Sequence, residues 1–205
     1  MRLYPFFSPL PSSRWNLRIL LVSTLLLTAC NSLLPPPRPA PLLHDLGPVA
    51  SEPVTLPWQL AIQIGAPPWL DNGAVHYRLE GDTQLAAYRD HRWAAPPSAL
   101  LTRRLRARMA PPQPDAPARW LDVEISVFEQ RFTAAGDASA HLEARALLRA
   151  RRGGTLLASR DFVLHQPAPS ADVHGGLTAL ASAADGLVTA LLDWLGNLPP
   201  APPSE

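Results

Sequence analysis

Proline divides this 205-residue chain into parts that can fold regularly and parts that cannot. The chain has 25 prolines, and eight of them fall between residues 31 and 57. Each proline removes a backbone N–H and fixes φ, so this segment favours neither a helix nor a central strand. We therefore predict one globular domain at residues 55–198, a Pro-rich tether at 30–54 before it and a Pro-rich tail at 199–205 after it.

Residues 1–29 have the pattern of a bacterial signal peptide. Arg14 and Arg18 precede a nine-residue apolar run, Ile19–Leu27, which is too short to span a bilayer. The sequence Leu27-Thr28-Ala29-Cys30 follows and resembles the lipobox of bacterial lipoproteins. We expect cleavage before Cys30, and attachment of diacylglycerol and an N-acyl chain such as palmitate to that cysteine.

The expected lipid anchor also predicts where the domain is located. Asn31 follows the cysteine, and by resemblance to enterobacterial sorting rules a residue other than Asp there favours the outer membrane over the inner membrane. In polyproline II form the tether and its flanking prolines would reach up to roughly 80 Å. We expect a lipid-anchored domain that faces the periplasm and has no internal disulfide, since Cys30 is the single cysteine.

The charge balance changes sign when the signal peptide is removed. The full chain carries 18 basic and 17 acidic residues, and none of the basic residues is Lys. Removal of Arg2, Arg14 and Arg18 leaves 15 Arg against 17 Asp and Glu, a net charge of −2. A weakly acidic domain lacks the basic surface that nucleic acid binding requires, so we exclude nucleic acid as a partner.

Hydrophobic periodicity after the tether predicts a mixture of strands and helices. The predicted elements are a strand at 58–64, a hairpin of 75–79 and 83–88, a helix from Pro96 to about Met109, three strands at 120–131, 141–151 and 155–166, and a helix from an Asp172 N-cap to about Leu195. The last three strands alternate clearly and predict an antiparallel meander. The predicted fold class is α/β, with α+β as the alternative: a mixed, largely antiparallel sheet of about five strands with two helices.

Motifs that carry catalysis or metal binding are missing from the sequence. The six histidines show no metal-ligand spacing, and the chain has no nucleophile elbow, no zinc-protease motif and no phosphate loop. We expect no enzymatic activity, no metal and no cofactor beyond the acyl chains on Cys30.

Two groups of side chains are candidates for contact with other molecules. The first contains the aromatic residues around the hairpin, which are Trp69, Tyr77, Tyr88 and Trp93. Aromatic side chains are enriched at protein interfaces, although core packing is the commoner role. The second contains Arg92, Arg103 and Arg104, which would suit an anionic lipid head group or acidic surface; the commoner role is a solvated helix face.

Short motifs in this region resemble one known family. Trp69-Leu70-Asp71 precedes a predicted strand, and Tyr88 and Trp93 precede Pro96 at the start of the first helix. This arrangement is similar to that of the ABC-type transport auxiliary lipoproteins, the PqiC-like group, in which a Tyr stands where this chain has Trp69. The resemblance extends from about Leu43 to Leu195 and implies a fold like that of anticodon-binding domains.

The resemblance also implies a function and partners. It implies an accessory, non-enzymatic docking subunit that works with an ABC permease and ATPase and with an MCE (mammalian cell entry) protein to move lipids between the inner and outer membranes. Phospholipid is then a candidate ligand, and self-association remains open. The alternatives from the residues alone are a structural lipoprotein for envelope assembly or cell-wall attachment, and a hydrolase with a dispersed site.

Overall fold

The computed structural model describes residues 39–49 and 52–199. The predicted signal peptide, Cys30 and most of the Pro-rich tail lie outside the described residues. The elements are β1 (Leu42–His44), β2 (Gln59–Gly65), β3 (Ala74–Leu79), β4 (Ala86–Trp93), α1 (Pro97–Ala107), β5 (Ala118–Phe132), β6 (Ala138–Arg149), β7 (Leu156–Pro167) and α2 (Val173–Gly196). This order confirms the predicted succession of strand, hairpin, helix, three strands and helix.

All seven strands form one sheet around the long strand β5. Strands β5, β6 and β7 form the predicted antiparallel meander. On the other side of β5, β2 lies beside its first half and β3 beside its last four residues, and both run parallel to it. Beyond β3 lie β4, which is antiparallel to β3, and β1, which is parallel to β4. The fold class is therefore confirmed as mixed and largely antiparallel, with seven strands instead of about five.

Strand β1 was not predicted, because it lies within the segment assigned to the tether. Residues 42–47 contain no proline, so their backbone groups are free to pair with β4. Leu46 is buried, and Val54 forms a bridge to Met109. The folded part of the chain therefore begins at Leu42, and the predicted tether at 30–54 is too long at its C-terminal end.

Both helices cover the same face of the sheet. Helix α1 has Pro97 in its first turn and buries Leu101 and Leu105, as its spacing predicts. Helix α2 is capped by Asp172, whose carboxylate accepts the N–H of Gly175 at 2.8 Å. Although α2 is long and apolar enough to cross a membrane, its apolar stripe is buried against the sheet and α1.

A bulge in β5 changes which residues face the helices. Leu121 and Ile125 are buried there, as the alternation predicts. The pairing with β6 shifts between Ile125 and Val127, so Phe128 takes the next buried position. Val127 pairs with Glu143 on the open face of the sheet, although the alternation of strand 120–131 would place it on the same face as Leu121 and Ile125.

Candidate functional site

Six aromatic rings follow one another across β1, β4, β3 and β5, beside the first turn of α2. We call this set the ring row, and its members are Phe132, Tyr77, Tyr88, His91, His44 and His174. The ring centroids of Tyr77 and Tyr88 are 4.7 Å apart, and those of Tyr88 and His91 are 6.3 Å apart. Five of the rings are half-buried and His174 is exposed. The ring row therefore offers rigid aromatic area that the core does not use.

Tyr88 is fixed at the centre of the ring row by a buried glutamine. Its hydroxyl donates to Oε1 of Gln130 at 2.7 Å, and Nε2 of Gln130 donates to the carbonyl of Asp172 at 3.0 Å. Burial is the main cause that raises the pKa of Tyr88 to about 12, with Tyr77 and Asp172 as further causes. The hydroxyl therefore remains protonated, and it links the hairpin to the start of α2.

Glycine is required where α2 approaches this glutamine. A Cβ on Gly176 would lie 2.0 Å from Oε1 of Gln130, which is a severe clash. Gly176 thus allows the first turn of α2 to approach β5 closely, whereas a Cβ on Gly175 would meet Ser170 in the preceding loop. Glycine has a low helix propensity, so it makes the first turn of α2 intrinsically less stable. The close approach of α2 to the ring row outweighs this loss.

The other end of the ring row is a cluster of three histidines from distant parts of the chain. His44 and His91 stack with centroids 5.1 Å apart, and the ring of His174 meets His91 edge-on at 5.6 Å. Within the part of the chain that the structure describes, no three His, Cys, Asp or Glu side chains are grouped as metal ligands. The positive end of the α2 dipole beside His174 also disfavours a cation.

Trp93 lies in the core and not on the surface. It is 3 % exposed and packs on Phe128 with centroids 5.5 Å apart. A buried side chain presents no area to a partner, so the structure contradicts the prediction that Trp93 is a contact residue. Its role is to fix the end of β4 against β5.

The motif residues next to Trp93 in space build the start of helix α1. Leu70 is buried, and the carboxylate of Asp71 accepts the N–H of Ser98 at 3.1 Å and its hydroxyl at 2.7 Å. Pro96, the N-cap residue, has no side-chain acceptor for the helix N–H groups. Asp71 therefore caps the helix from another loop, which explains why Asp71 and Pro96 occur in the same motif.

Trp69 lies on the opposite side of β3 from the two tyrosines. It is 49 % exposed, and its ring is 6.5 Å from that of His76, whose neighbour Tyr77 points to the other face of the strand. The four predicted aromatic contacts therefore do not form one surface. Tyr77 and Tyr88 lie together, Trp69 is separate and Trp93 is buried.

The arginine candidates differ from one another in exposure and role. Arg104 is 4 % exposed, lies 2.8 Å from Asp185 of α2 and donates to the carbonyls of Leu46, Gly47 and Pro48. A buried guanidinium with these acceptors is structural, so the prediction that Arg104 contacts an anionic group is contradicted. The side chain of Arg103 is 76 % exposed and lies 4.0 Å from Asp45.

Arg92 is also exposed, but its guanidinium already has an internal acceptor. It donates to the carbonyl of Asn72 at 2.6 Å, which fastens the loop before β3. Arg92 and Arg103 thus remain accessible to an anionic group, whereas Arg104 does not.

The open face of the sheet carries a network of charged side chains. Burial opposes ionisation of Glu129, yet hydrogen bonds from Arg78 and Arg131 outweigh it and hold the pKa of Glu129 below its ordinary value. Burial, followed by the charge of Arg131, lowers the pKa of His141 to about 4. His141 lies 3.0 Å from Ser139, but a base with so low a pKa is poorly matched to removing a serine proton near pH 7.

Sequence patterns could not have revealed the ring row as a whole. Tyr77 and Tyr88 were candidates because they flank one hairpin, whereas His44, Phe132 and His174 are far apart in the sequence. His44 belongs to the unpredicted strand β1. In the sequence, three strands, β5, β6 and β7, lie between His91 and His174. Only the sheet order brings these side chains together.

Comparison with known proteins identifies the family. The model of the ABC-type transport auxiliary lipoprotein component family matches residues 43–191, which is most of the described domain. The chain belongs to this family, and it is therefore an auxiliary lipoprotein component of an ABC-type transport system. The match begins within β1, in agreement with the early start of the fold.

Solved structures support the same fold. The chain is similar to the crystal structure of the DUF330 protein XCC0632 from Xanthomonas campestris, with a TM-score of 0.61, 20 % identity, and coverage of 77 % of this chain and 93 % of that one. A second crystal structure, of an uncharacterized protein, has a TM-score of 0.57, 18 % identity, and coverage of 77 % and 99 %. No curated protein matches the chain.

Proposed function

We propose that this chain is the lipid-anchored, periplasm-facing subunit of an ABC transporter that moves lipids between the inner and outer membranes. In this proposal it docks onto an MCE protein, which works with the permease and ATPase, and it catalyses no reaction itself. The family match supports the accessory role in transport. The lipobox before Cys30 supports attachment to a membrane, and Asn31 favours the outer one.

The ring row is the observation that carries the docking role. Its tyrosines present half-exposed rings beside the exposed Leu79, and Tyr88 belongs to the motif through which the chain resembles its family. Tyrosine carries both apolar area and a hydroxyl, and it is enriched at the centres of protein interfaces. Because Gln130 fixes Tyr88, little side-chain entropy is lost when a partner binds.

The early start of the fold would shorten the distance that the domain can reach from its membrane. If Cys30 is acylated and folding begins at Leu42, the residues between them extend to at most roughly 35 Å. This is less than half the reach that the sequence suggests. The partner surface therefore has to approach the membrane that holds the anchor, which an MCE protein extending across the periplasm would do.

Co-purification from native membranes tests the proposal. We expect the full chain to retain an MCE protein, a permease and an ATPase, identified by mass spectrometry. The double variant Tyr77→Ala/Leu79→Ser should reduce their recovery at least about tenfold. The control Leu156→Ser removes another exposed leucine, 47 % exposed against 57 % for Leu79, from the other end of the sheet and should change nothing.

The outcomes of this experiment separate the partner from its surface. Recovery of the wild-type chain without any transporter subunit contradicts the transport proposal and favours a structural lipoprotein of the envelope. Full recovery with the double variant contradicts the ring row as the docking surface but leaves the transport role intact.

Membrane attachment is tested separately. The Cys30→Ser variant should incorporate no labelled palmitate and should leave the membrane fraction. The wild-type chain should sediment with outer-membrane markers in a density gradient. Sedimentation with inner-membrane markers would reverse the assignment of the membrane.

A further inference from the structure

Strand β1 is held to the sheet by its backbone pairing with β4 and by one side chain. Leu42 and Leu43 are 58 % and 67 % exposed, so they contribute little burial. His44 is the half-buried residue of the strand, and its Nε2 lies 2.9 Å from Nδ1 of His91 on β4. The carbonyl of His44 also accepts the N–H of Ala94 at 2.7 Å.

The segment that follows β1 is held by groups that do not titrate. Leu46 is buried, and the guanidinium of Arg104 binds the carbonyls of residues 46–48, as described above. Gly47 has a φ of +73°, a conformation that favours glycine, and it forms the turn within the segment that Arg104 binds. Residues 42–45 can therefore separate from the sheet while the chain beyond them stays in place.

The contact between His44 and His91 requires at least one unprotonated imidazole. One ring nitrogen donates and the other accepts, so a single proton can be accommodated, whereas a second removes the acceptor. His174 brings a third imidazole ring against His91, next to the positive end of the α2 dipole. Acidification therefore accumulates like charges at the point that holds β1.

The groups around the three imidazoles offset this repulsion only in part. Tyr88 stays neutral, and Asp45 accepts the N–H of Gly47. The ionised carboxylate of Asp172 interacts with His174, while it also accepts the Gly175 N–H and the Ser170 hydroxyl. Burial first, and then His91 and His174, lower the pKa of His44 below its ordinary value of 6.5. A lowered imidazole pKa in the docked state means that docking weakens as pH falls below about 6.5.

We propose that His44, His91 and His174 form a pH-responsive latch that holds β1 at neutral pH and releases it in mild acid. Release begins just before the buried Leu46, uncovers the outer edge of β4 and exposes the His91 end of the ring row. It also adds about four residues, roughly 12 Å, to the reach of the chain that precedes the domain. The latch is a property of the domain and does not depend on the identity of its partner.

Hydrogen–deuterium exchange of the full chain, resolved by residue and corrected for intrinsic rates, tests the latch. Between pH 7.5 and 5.0 we expect protection of the Ala94 amide to fall about tenfold or more. The Val54 amide, which donates to Arg108 at 2.8 Å on the fixed side of the turn, should keep its protection. Equal protection of Ala94 at both pH values would overturn the proposal.

Two variants assign the effect to the histidines. His174→Gln should shift the loss of protection to lower pH by about half a unit or more, because it removes one of the three charges. His91→Gln/His174→Gln should weaken the pH dependence further and leave only the part that comes from the burial of His44, which then has no ionisable ring beside it. A double variant that retains the full wild-type pH dependence would show that other groups release β1.

Discussion

Strand β4 has two parts that lie close in sequence and have different roles. Its last residue, Trp93, is buried with Leu70, and Asp71 nearby caps helix α1. Five residues earlier, Tyr88 belongs to the half-exposed ring row. The same short motif therefore contains residues that build the fold and a residue placed at the surface, and only burial distinguishes them.

The largest effect is expected from removing Trp93. Trp93→Ala deletes a fully packed ring from the core and should lower the free energy of unfolding by about 3–5 kcal/mol. Urea denaturation followed by circular dichroism measures this loss. A loss below about 1 kcal/mol would mean that Trp93 is not a core residue, and the distinction between the two parts of β4 would fail.

A smaller loss in the free energy of unfolding is expected from removing the hydroxyl of Tyr88. Tyr88→Phe leaves the ring in place but leaves Oε1 of the fully buried Gln130 without the 2.7 Å hydrogen bond. We expect a loss of about 1–3 kcal/mol in the same assay. Tyr77→Phe is the matched control, because its hydroxyl makes no hydrogen bond within the described residues, and it should be neutral.

The cap supplied by Asp71 should contribute less. Asp71→Ala removes both hydrogen bonds to Ser98 and should cost about 0.5–2 kcal/mol. Asp82→Ala, which removes an acceptor of the Gln84 N–H in an exposed turn, serves as the comparison. If the two variants lose the same stability, Asp71 does not act as a helix cap.

The smallest effect is expected at the exposed tryptophan of the motif. Trp69→Ala should change the free energy of unfolding by no more than about 0.5 kcal/mol, because half of the ring is already in solvent. Thermal unfolding of the two tryptophan variants, Trp69→Ala and Trp93→Ala, gives the most direct contrast. A large loss at Trp69 would show that it supports the buried Glu129 region beneath it.

Periodicity predicted most of this fold, and its failures have physical causes. The alternation of β5 and β6 and the stripe of α2 located the central strands and the longest helix. Strand β1 escaped detection because three residues between prolines carry no period, and their pairing with β4 comes from a distant part of the chain. The bulge at Val127 was hidden because its sequence continues to alternate.

The candidate surface was predicted less completely than the fold. Composition selected Tyr77 and Tyr88, whose rings the structure brings together, but could not separate them from the buried Trp93. Composition and resemblance also could not show that Arg104 binds Asp185 and three backbone carbonyls. The position of an arginine on a helix does not reveal which loop packs against its side chain. Contacts between residues that are far apart in sequence decide both cases.

The affinity of the purified full chain for the MCE protein that we propose as its partner tests the account most directly. Titration calorimetry of the wild type against the Tyr77→Ala variant, with Trp69→Ala as a control from the opposite face, measures the dissociation constant at neutral pH. We expect Tyr77→Ala to weaken binding at least about tenfold and Trp69→Ala to leave it unchanged. Equal affinities for the wild type and Tyr77→Ala, or a loss confined to Trp69→Ala, would contradict docking through the ring row.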